Sequence, residues 1–586
     1  MYKKYFYYLK LGSKSIIEIG KIDFCFVIIG FFISLFGSFN NLLYIYYWKN
    51  ILLSITEQKG LNHIIFWVSF ITLFQLTYFF LNSLWENKYK KIKKERIVFV
   101  LKKNLYTTLA RTEVKKYCDP IFLNSIVFSQ EKYINALFDS LESFNSIISS
   151  IIMGITLITI IINASNFILL AITFVVILTL LCNSKLTKLN YENDFEKKYN
   201  DRESKFISRV FNTPAQLYEV KVYGYIDLLI NMLKNAMEKS VKIQKKNGNM
   251  ISFVAFINSS ILIVFEFFLV IVLSIICNFR NYSVGDFSVF INSIWSLTNH
   301  LNGIFNSIPV IYANGLITEE FLKNSFNKVQ KKESDLNIID KINKIEFKNV
   351  CFFYAPSKGV SDLNFRIKRG ETLAVLGHNG SGKSTLIKLI LKLYKPDKGQ
   401  ILFNDINSEI IDDKSLRKRI GICLQENHLF PFTISEFISG MNRCDLDRLN
   451  YSCKLSGFQE IIKKYNLTEE TYITQEFNKQ GVQLSGGEQQ KLFISRAIYN
   501  AKDLLIFDEE STYLDSVSKK EILEYVEVIK KDKIFIHITH DILTTTAADK
   551  IVILEQGKIV EYGCPKKLLK NSESLYAKKV RGESEY

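Results

Sequence analysis

The sequence has little to offer disulfide or metal-cluster chemistry. Its nine cysteines are scattered, with no CxxC pair and none at metal-ligand spacing beside one of the six histidines. That usage argues against a disulfide scaffold or a zinc ribbon and leads us to expect reduced thiols. No cleavable signal peptide is expected either, because the first apolar run continues well beyond signal-peptide length. The net charge of +17 raises nucleic-acid binding as a possibility. The basic residues mostly flank apolar segments, however, so no nucleic-acid partner is expected.

What is present is apolar length. The chain is 48% hydrophobic and 14% aromatic over 586 residues, too many for one ordinary domain. Residues 1–20 mix Tyr2, Tyr5, Phe6, Tyr7 and Leu9 with Lys3, Lys4, Lys10 and Lys14, which suits a membrane surface or a disordered tail equally. Six apolar segments follow, near 24–47, 64–85, 143–162, 167–182, 251–277 and 287–312. A span needs about 20 apolar residues, so the fourth is short. The loops between them alternate. Those at 49–62, 163–166 and 278–285 are short, whereas the other two are long and basic, one with Lys88, Lys90, Lys91, Lys93 and Lys94, the other with Lys185, Lys188, Lys197 and Lys198. The positive-inside rule puts both termini and both long loops in the cytoplasm. These loops read as helical, so the spans are expected to continue as rods beyond the membrane.

Two stretches in the long loops break a helical pattern. Tyr117-Cys118-Asp119-Pro120-Ile121-Phe122 does so at Pro120, where Asp119 can cap a short new helix. The second, with Pro214, Glu219 and Tyr223, ends in aromatic-glycine at Gly224. Each reads as a bend or as a contact point. Polar residues inside the spans matter because hydrocarbon offers them no partner. Asn292, Ser296, Asn299, Gly303 and Asn306 recur at helical spacing and form one polar, small-residue face. That face can line a water-filled path or bond between helices. Glu266 lies amid apolar residues and can attract a cationic cargo, be protonated, or bond a polar neighbour such as His300.

After a charged linker at 327–335, the pattern changes. Residues 345–354 alternate as a strand ending in Phe352-Phe353-Tyr354; Tyr354 can stack on a purine base or be a plain strand residue. A strand at 372–376 runs into Gly377-His378-Asn379-Gly380-Ser381-Gly382-Lys383-Ser384-Thr385, and a helix follows at 386–393. This strand, glycine-rich loop and helix is the context of a phosphate-binding loop. Gly380 and Gly382 let backbone N–H groups turn towards phosphate oxygens, Lys383 can reach the β- and γ-phosphates, and the Ser384 hydroxyl can hold Mg²⁺. A nucleoside triphosphate is the expected ligand. Downstream, a short strand ends at Gln425, which can reach Mg²⁺ or an attacking water. Residues 429–434 form a hydrophobic turn into a helix. Leu484-Ser485-Gly486-Gly487-Glu488 opens another helix with a capping box between Ser485 and Glu488. Leu504-Leu505-Ile506-Phe507-Asp508-Glu509 is an apolar strand ending in two carboxylates: Asp508 suits Mg²⁺ held with Ser384, and Glu509 suits the water that attacks the γ-phosphate. A strand at 533–538 then leads to His540, and a hairpin closes the series at 551–562.

Over about 345–569, these motifs together resemble an ATP-binding-cassette domain, with every motif in family order. Six spans ahead of it resemble a type I ABC exporter half-transporter. The fold this resemblance implies is an all-α six-helix transmembrane domain over 1–335, followed by an α/β P-loop ATPase domain over 336–586. It implies adenine stacking for Tyr354, a general-base role for Glu509 and γ-phosphate contact for His540. It also implies a D-loop at Leu514-Asp515, and coupling elements around Asp119 and Pro120 and around Glu219 and Tyr223. The family's cassettes close head to tail, so Ser485, Gly486 and Gly487 of one chain complete the ATP site on another. A homodimer, or a heterodimer with a similar half-transporter, is the implied assembly, in contact with membrane lipids. The chain departs from the usual pattern at Glu488, Glu510 and Tyr513, none of which removes a catalytic group. Cargo is expected to be a peptide such as a bacteriocin or lantibiotic, with lipid or multidrug export as the alternative and a gating membrane ATPase behind them. No peptidase domain precedes the first span, so the chain is not expected to cleave a leader.

Overall fold

A computed structural model describes residues 2–58, 60–118, 120–164, 166–326, 336–355, 358–440, 444–508, 532–539 and 542–581. They fall into two units. The first holds the described residues of Met1–Thr112 and Pro120–Lys328; the second holds those of Val329–Tyr586 together with Glu113–Asp119.

The first unit is helical: α1 (Tyr2–Ile22), α2 (Phe24–Thr56), α3 (Leu61–Leu84), a π-helical turn (Trp85–Tyr89), α4 (Lys90–Ala110), α5 (Pro120–Ala164), α6 (Asn166–Asn212), α7 (Pro214–Tyr223), α8 (Ile226–Phe279) and α9 (Val284–Phe326). Asp23 separates α1 from α2 and caps the latter by accepting from the Phe26 N–H at 3.0 Å. At 1.5 Å per residue, the 45 residues of α5 and the 54 of α8 extend about 68 and 81 Å, against a hydrocarbon layer of about 30 Å. These are the rods the sequence leads one to expect. Apolar side chains cover α3, yet none of its residues is buried. In water that would be a poor helix; in lipid it is an ordinary outward face. Among the described residues, five stretches are long and apolar enough to cross a membrane: Phe24–Thr56, Leu61–Ala110, Lys132–Ile162, Ala171–Asn190 and Ile226–Phe279. The sixth expected span lies in α9, which is long enough but less apolar, because Asn292, Ser296, Asn299, His300, Asn302 and Asn306 interrupt its hydrophobic run.

The bend at Pro120 differs from expectation. A short 3₁₀ turn, Val114–Cys118, precedes the proline, and the helix after it is the long α5 rather than a short one. Proline at the first helical position has no N–H to leave unpaired, so it starts a helix without limiting its length. Asp119 lies outside the described residues. At the other bend Pro214 likewise starts α7, and Gly224 ends it at φ +66°, a left-handed stop that glycine adopts freely.

The second unit has two sheets. The smaller is antiparallel, in the order β2-β1-β4-β5, from β1 (Lys344–Ala355), β2 (Lys358–Lys368), β4 (Lys398–Phe403) and β5 (Ile406–Asn407). The larger runs β10-β9-β3-β8-β7-β6, from β3 (Thr372–Gly377), β6 (Ile420–Cys423), β7 (Leu504–Asp508), β8 (Ile534–Ile538), β9 (Lys550–Glu555) and β10 (Lys558–Gly563). All its neighbours pair parallel except β10 with β9. Strand alternation then gives the sheet two dry faces. On β7, Leu504 and Ile506 join a core with α10 (Lys383–Ile390), α11 (Asp413–Arg417) and the smaller sheet. Leu505 and Phe507 join another with α12 (Ile434–Ser439), α13 (Leu446–Leu455), α14 (Phe458–Lys464) and α15 (Gly486–Asn500). The helix α15 lies so close on β6 that a Cβ at Gly421 would fall 1.9 Å from the Ala497 carbonyl oxygen. Gly421→Val is therefore expected to cost roughly 1–3 kcal/mol or more by overpacking. Scanning fluorimetry of the purified chain should show the cassette melting several degrees lower.

Candidate nucleotide site

Parallel pairing decides where the site lies. Strands β3, β8, β7 and β6 all run the same way, so their carboxyl ends leave the sheet at one edge, where α/β folds place ligands. Register brings Val375, Ile538 and Asp508 level with one another. From that edge come the glycine-rich loop after Gly377, Thr539 after β8, Asp508 as the last residue of β7, and Gln425 two residues beyond β6. Asp508 and Thr539 are buried, whereas Gln425 and Ser384 are exposed. Glu509, His540 and Asp515, with Glu510 and Tyr513, lie outside the described residues; Glu509 and His540 directly follow Asp508 and Thr539 in the chain.

The loop has the backbone its function needs. Gly380 (φ +83°) faces open space, and Gly382 (φ +107°) precedes α10 where a Cβ would sit 2.5 Å from Val360 Cγ1. Neither conformation suits a residue with a side chain. Lys383 is 6% exposed, and its ammonium donates to the Gly377 carbonyl at 2.7 Å and the His378 carbonyl at 3.2 Å. Ser381 N–H closes the turn on the His378 carbonyl at 3.1 Å, while the buried Ser381 Oγ has no hydrogen-bond partner among the described residues. A loop that offers N–H groups, an ammonium and an unsatisfied hydroxyl fits a polyphosphate. Ser384 at the start of α10 and Asp508 supply the hydroxyl and carboxylate oxygens that Mg²⁺ prefers.

Tyr354 is tied to this loop. Its hydroxyl lies 3.2 Å from Thr385 Oγ1, and its ring packs edge-on against Phe352 (5.0 Å) and Tyr394 (5.4 Å) while remaining 38% exposed. Phe352 stacks on Tyr394 at 4.7 Å and receives the Lys115 ammonium over its ring at 4.9 Å. Lys115 belongs to the 3₁₀ turn Val114–Cys118, which packs within this same unit. Next to it Glu113 accepts from Lys395 at 2.7 Å. Tyr394 and Lys115 escaped the sequence reading, since neither lies in a motif and only the fold brings them to Tyr354.

Ser485 and Gly486 begin α15, on the opposite face of the large sheet from α10. Ser485 Oγ accepts from the Glu488 N–H (3.4 Å), and Glu488 accepts in return from the Ser485 N–H (2.9 Å). The other Glu488 oxygen receives Lys464 at 3.0 Å and the Tyr465 hydroxyl at 3.1 Å. With the Ser485 N–H first among these donors, the carboxyl is held down to about 2. Gly486 has open space where a side chain would project.

The membrane residues separate. His300 bonds Ser150 Oγ at 3.2 Å, not Glu266. Of the three readings of Glu266, the bond to His300 is not the one realised: Glu266 lines an apolar cavity of about 210 Å³ with Leu269, Leu273, Ile291, Ile294 and Trp295, whereas His300 faces α5. Along α9, Asn299 and Asn306 are exposed, Asn292 and Ser296 are half-buried, and Asn292 donates to its own helix at the Ser288 carbonyl (2.9 Å). Glu219 and Tyr223 are both exposed on α7.

A phosphate-binding loop at the edge of such a sheet, in a chain whose other unit holds membrane-length helices, is the arrangement of an ABC transporter. Residues 360–512 match the family model described as ABC transporter. The second unit therefore carries the cassette of that family, and the first unit supplies, among the described residues, five stretches long and apolar enough to cross a membrane. The chain is similar to the subtilin transport ATP-binding protein SpaT of Bacillus subtilis, 31% identical over 404 residues, covering 66% of this chain and 63% of SpaT. It is also similar to the alpha-hemolysin translocation ATP-binding protein HlyB of Escherichia coli, 38% identical over 236 residues, covering 40% and 33% respectively. These alignments take in less than two thirds of either relative. In fold, the chain matches a bacterial Atm1-family ABC exporter solved with ATP bound, with a TM-score of 0.78 at 21% identity, over 96% of this chain and 98% of that one.

The Glu488 cluster makes a pH-dependent contribution. A depressed carboxyl stabilises the fold fully above its ordinary value of 4.5, and that stability is lost as pH falls towards about 2. Glu488→Gln keeps a side-chain acceptor but gives up the charge. The melting-temperature gap between wild type and variant should be widest near neutral pH and close progressively below 4.5.

Proposed function

We propose that this chain is one half of an ATP-driven exporter that works as a dimer and carries a peptide across the bacterial plasma membrane, with the cassette cytoplasmic. The observation that carries the reading is the split of phosphate-directed groups between two faces of one sheet. The loop of Lys383 stands at α10, and the helix terminus of Ser485, Gly486 and Gly487 stands on the other face at α15. A second cassette turned head to tail would bring its Ser485 to this Lys383.

In that assembly Lys383 and the loop N–H groups hold the β- and γ-phosphates, and Tyr354 stacks on the adenine. Ser384, Asp508 and Gln425 hold Mg²⁺, whose chemistry is to neutralise phosphate charge. Glu509 draws the proton of the attacking water, His540 contacts the γ-phosphate, and Asp515 lies between the two sites. The Lys115–Phe352–Tyr394–Tyr354 contacts support a route by which the segment around Asp119 and Pro120 senses nucleotide. The exposed Glu219 and Tyr223 on α7 suit a contact with the second copy. Basic residues beside the apolar helices support the cytoplasmic placement. Peptide cargo draws its support from the SpaT and HlyB names, which speak of subtilin and alpha-hemolysin.

The test is ATP hydrolysis by the purified chain in lipid nanodiscs. Wild type should turn over, Lys383→Ala should lose nucleotide binding, and Glu509→Gln should bind ATP yet hydrolyse it about 10²–10⁴-fold more slowly. A folded, ATP-binding wild type with no turnover would sink the self-sufficient homodimer. Uptake of labelled peptide into inside-out vesicles, dependent on ATP and absent in Glu509→Gln, is the matching test of export.

A further inference from the structure

The helical unit contains a second cavity, of about 350 Å³, that none of the nucleotide chemistry uses. It lies where the rod from α3 to α4 is interrupted by its π-helical turn, Trp85–Tyr89. Single π-turns within α-helical rods recur at functional sites. Here the turn delivers Trp85 and Glu86 to the cavity wall, and Lys90 follows directly.

Charge and hydrogen bonding at the wall are incomplete. The Lys90 ammonium donates to both Glu86 oxygens at 2.8 and 2.9 Å and lies 3.1 Å from Glu142 Oε1, so one cation serves two carboxylates. Lys94 sits over the Phe138 ring beside Asp139, outside the lining, so at the wall itself the two carboxylates Glu86 and Glu142 face one ammonium, Lys90. Asn82 and Asn145 also line the cavity, and neither side-chain amide has a hydrogen-bond partner among the described residues. Both amides fall inside the apolar runs 64–85 and 143–162, where a polar group is costly unless something else meets it. Gly30 keeps the space open: a Cβ there would lie 3.2 Å from Trp85 Cζ2 and 3.5 Å from Asn145 Nδ2. Stacked on Trp85 at 5.4 Å, Phe26 gives one wall an aromatic surface.

We propose that this cavity is a cargo-recognition subsite for a short peptide segment that carries a cationic side chain beside an aromatic one. The proposal rests on the peptide-export reading and deepens it. The cation answers the surplus charge at Glu142, backbone amides meet Asn82 and Asn145, and the aromatic ring lies against Trp85. The volume is at the low end of ligand pockets, about 300–1,000 Å³, so it takes a segment and not a whole peptide.

The experiment measures binding of two tritiated probes, acetyl-Phe-Lys-Phe-amide and acetyl-Phe-Glu-Phe-amide, to the full chain in nanodiscs without nucleotide. Wild type should hold the lysine probe about tenfold or more tightly than the glutamate probe, and Glu142→Gln should bring the two within about threefold. Gly30→Leu should lose both probes while still binding a fluorescent ATP analogue, which reports folding. Equal binding of the probes by wild type, no binding of either, or an undiminished preference in Glu142→Gln would each overturn the proposal. If Gly30→Leu does not fold, Glu142→Gln still decides. Turnover in the ATPase assay with no probe preference removes the subsite and leaves the export reading standing. Probe preference without turnover keeps the subsite and removes ATP-driven export.

Discussion

A buried ammonium sets the terms for the cassette. Lys383 is almost wholly removed from water and rests against the carbonyls of Gly377 and His378. Those carbonyls can point inward only if the loop turns twice through left-handed backbone, at Gly380 and Gly382. The turn holds its place because β3, from which it springs, is buried along its whole length between β8 and β9. With α10 thereby fixed on one face of the sheet, the other face is left to α12–α15 and to the helix terminus at Ser485. One lysine's need for oxygen partners thus reaches, through loop, strand and layer, to the separation of the two phosphate-directed elements.

The helical unit answers to another constraint, the lack of hydrogen-bonding solvent in hydrocarbon. Its hydroxyls mostly turn back to their own backbone or to each other, as Thr298 does to the Ile294 carbonyl and Ser34 to Ser149. In α9 this leaves a helix of mixed character. It has Ser293, Leu297 and Thr298 buried on one side and Asn299 and Asn306 exposed on the other. Such a helix is better suited to an interior or a passage than to lipid.

How much could be read beforehand follows from the range of each interaction. The glycine-rich loop, the capping box at Ser485 and the strand ending at Asp508 are local patterns, and each was visible as a run of neighbouring residues. The rods beyond the spans were visible as well, since helical composition continues through the basic loops. The helix after Pro120 is longer than its sequence suggests, because proline announces where a helix starts and says nothing of where it stops. The sequence leaves open whether Glu266 meets His300 for a similar reason: spacing along two helices does not fix their relative rotation. The π-turn at Trp85–Tyr89 has no composition of its own, and the Tyr354–Tyr394–Phe352 cluster joins β1 to the turn after α10, 40 residues further along the chain. Those features exist only once the chain is folded.

The length of α8 carries one more consequence. Its 54 residues run without a proline or a break from Ile226 to Phe279. An unbroken helix of that kind is a stiff beam, with every carbonyl tied to the next turn. It can neither fold in the middle nor absorb a push at one end by local rearrangement. A tilt of roughly 5° about one end of a beam about 80 Å long sweeps the other end through about 7 Å. Small tilts set at the short α7 cap would therefore arrive at the far end of α8 as movements of several ångströms.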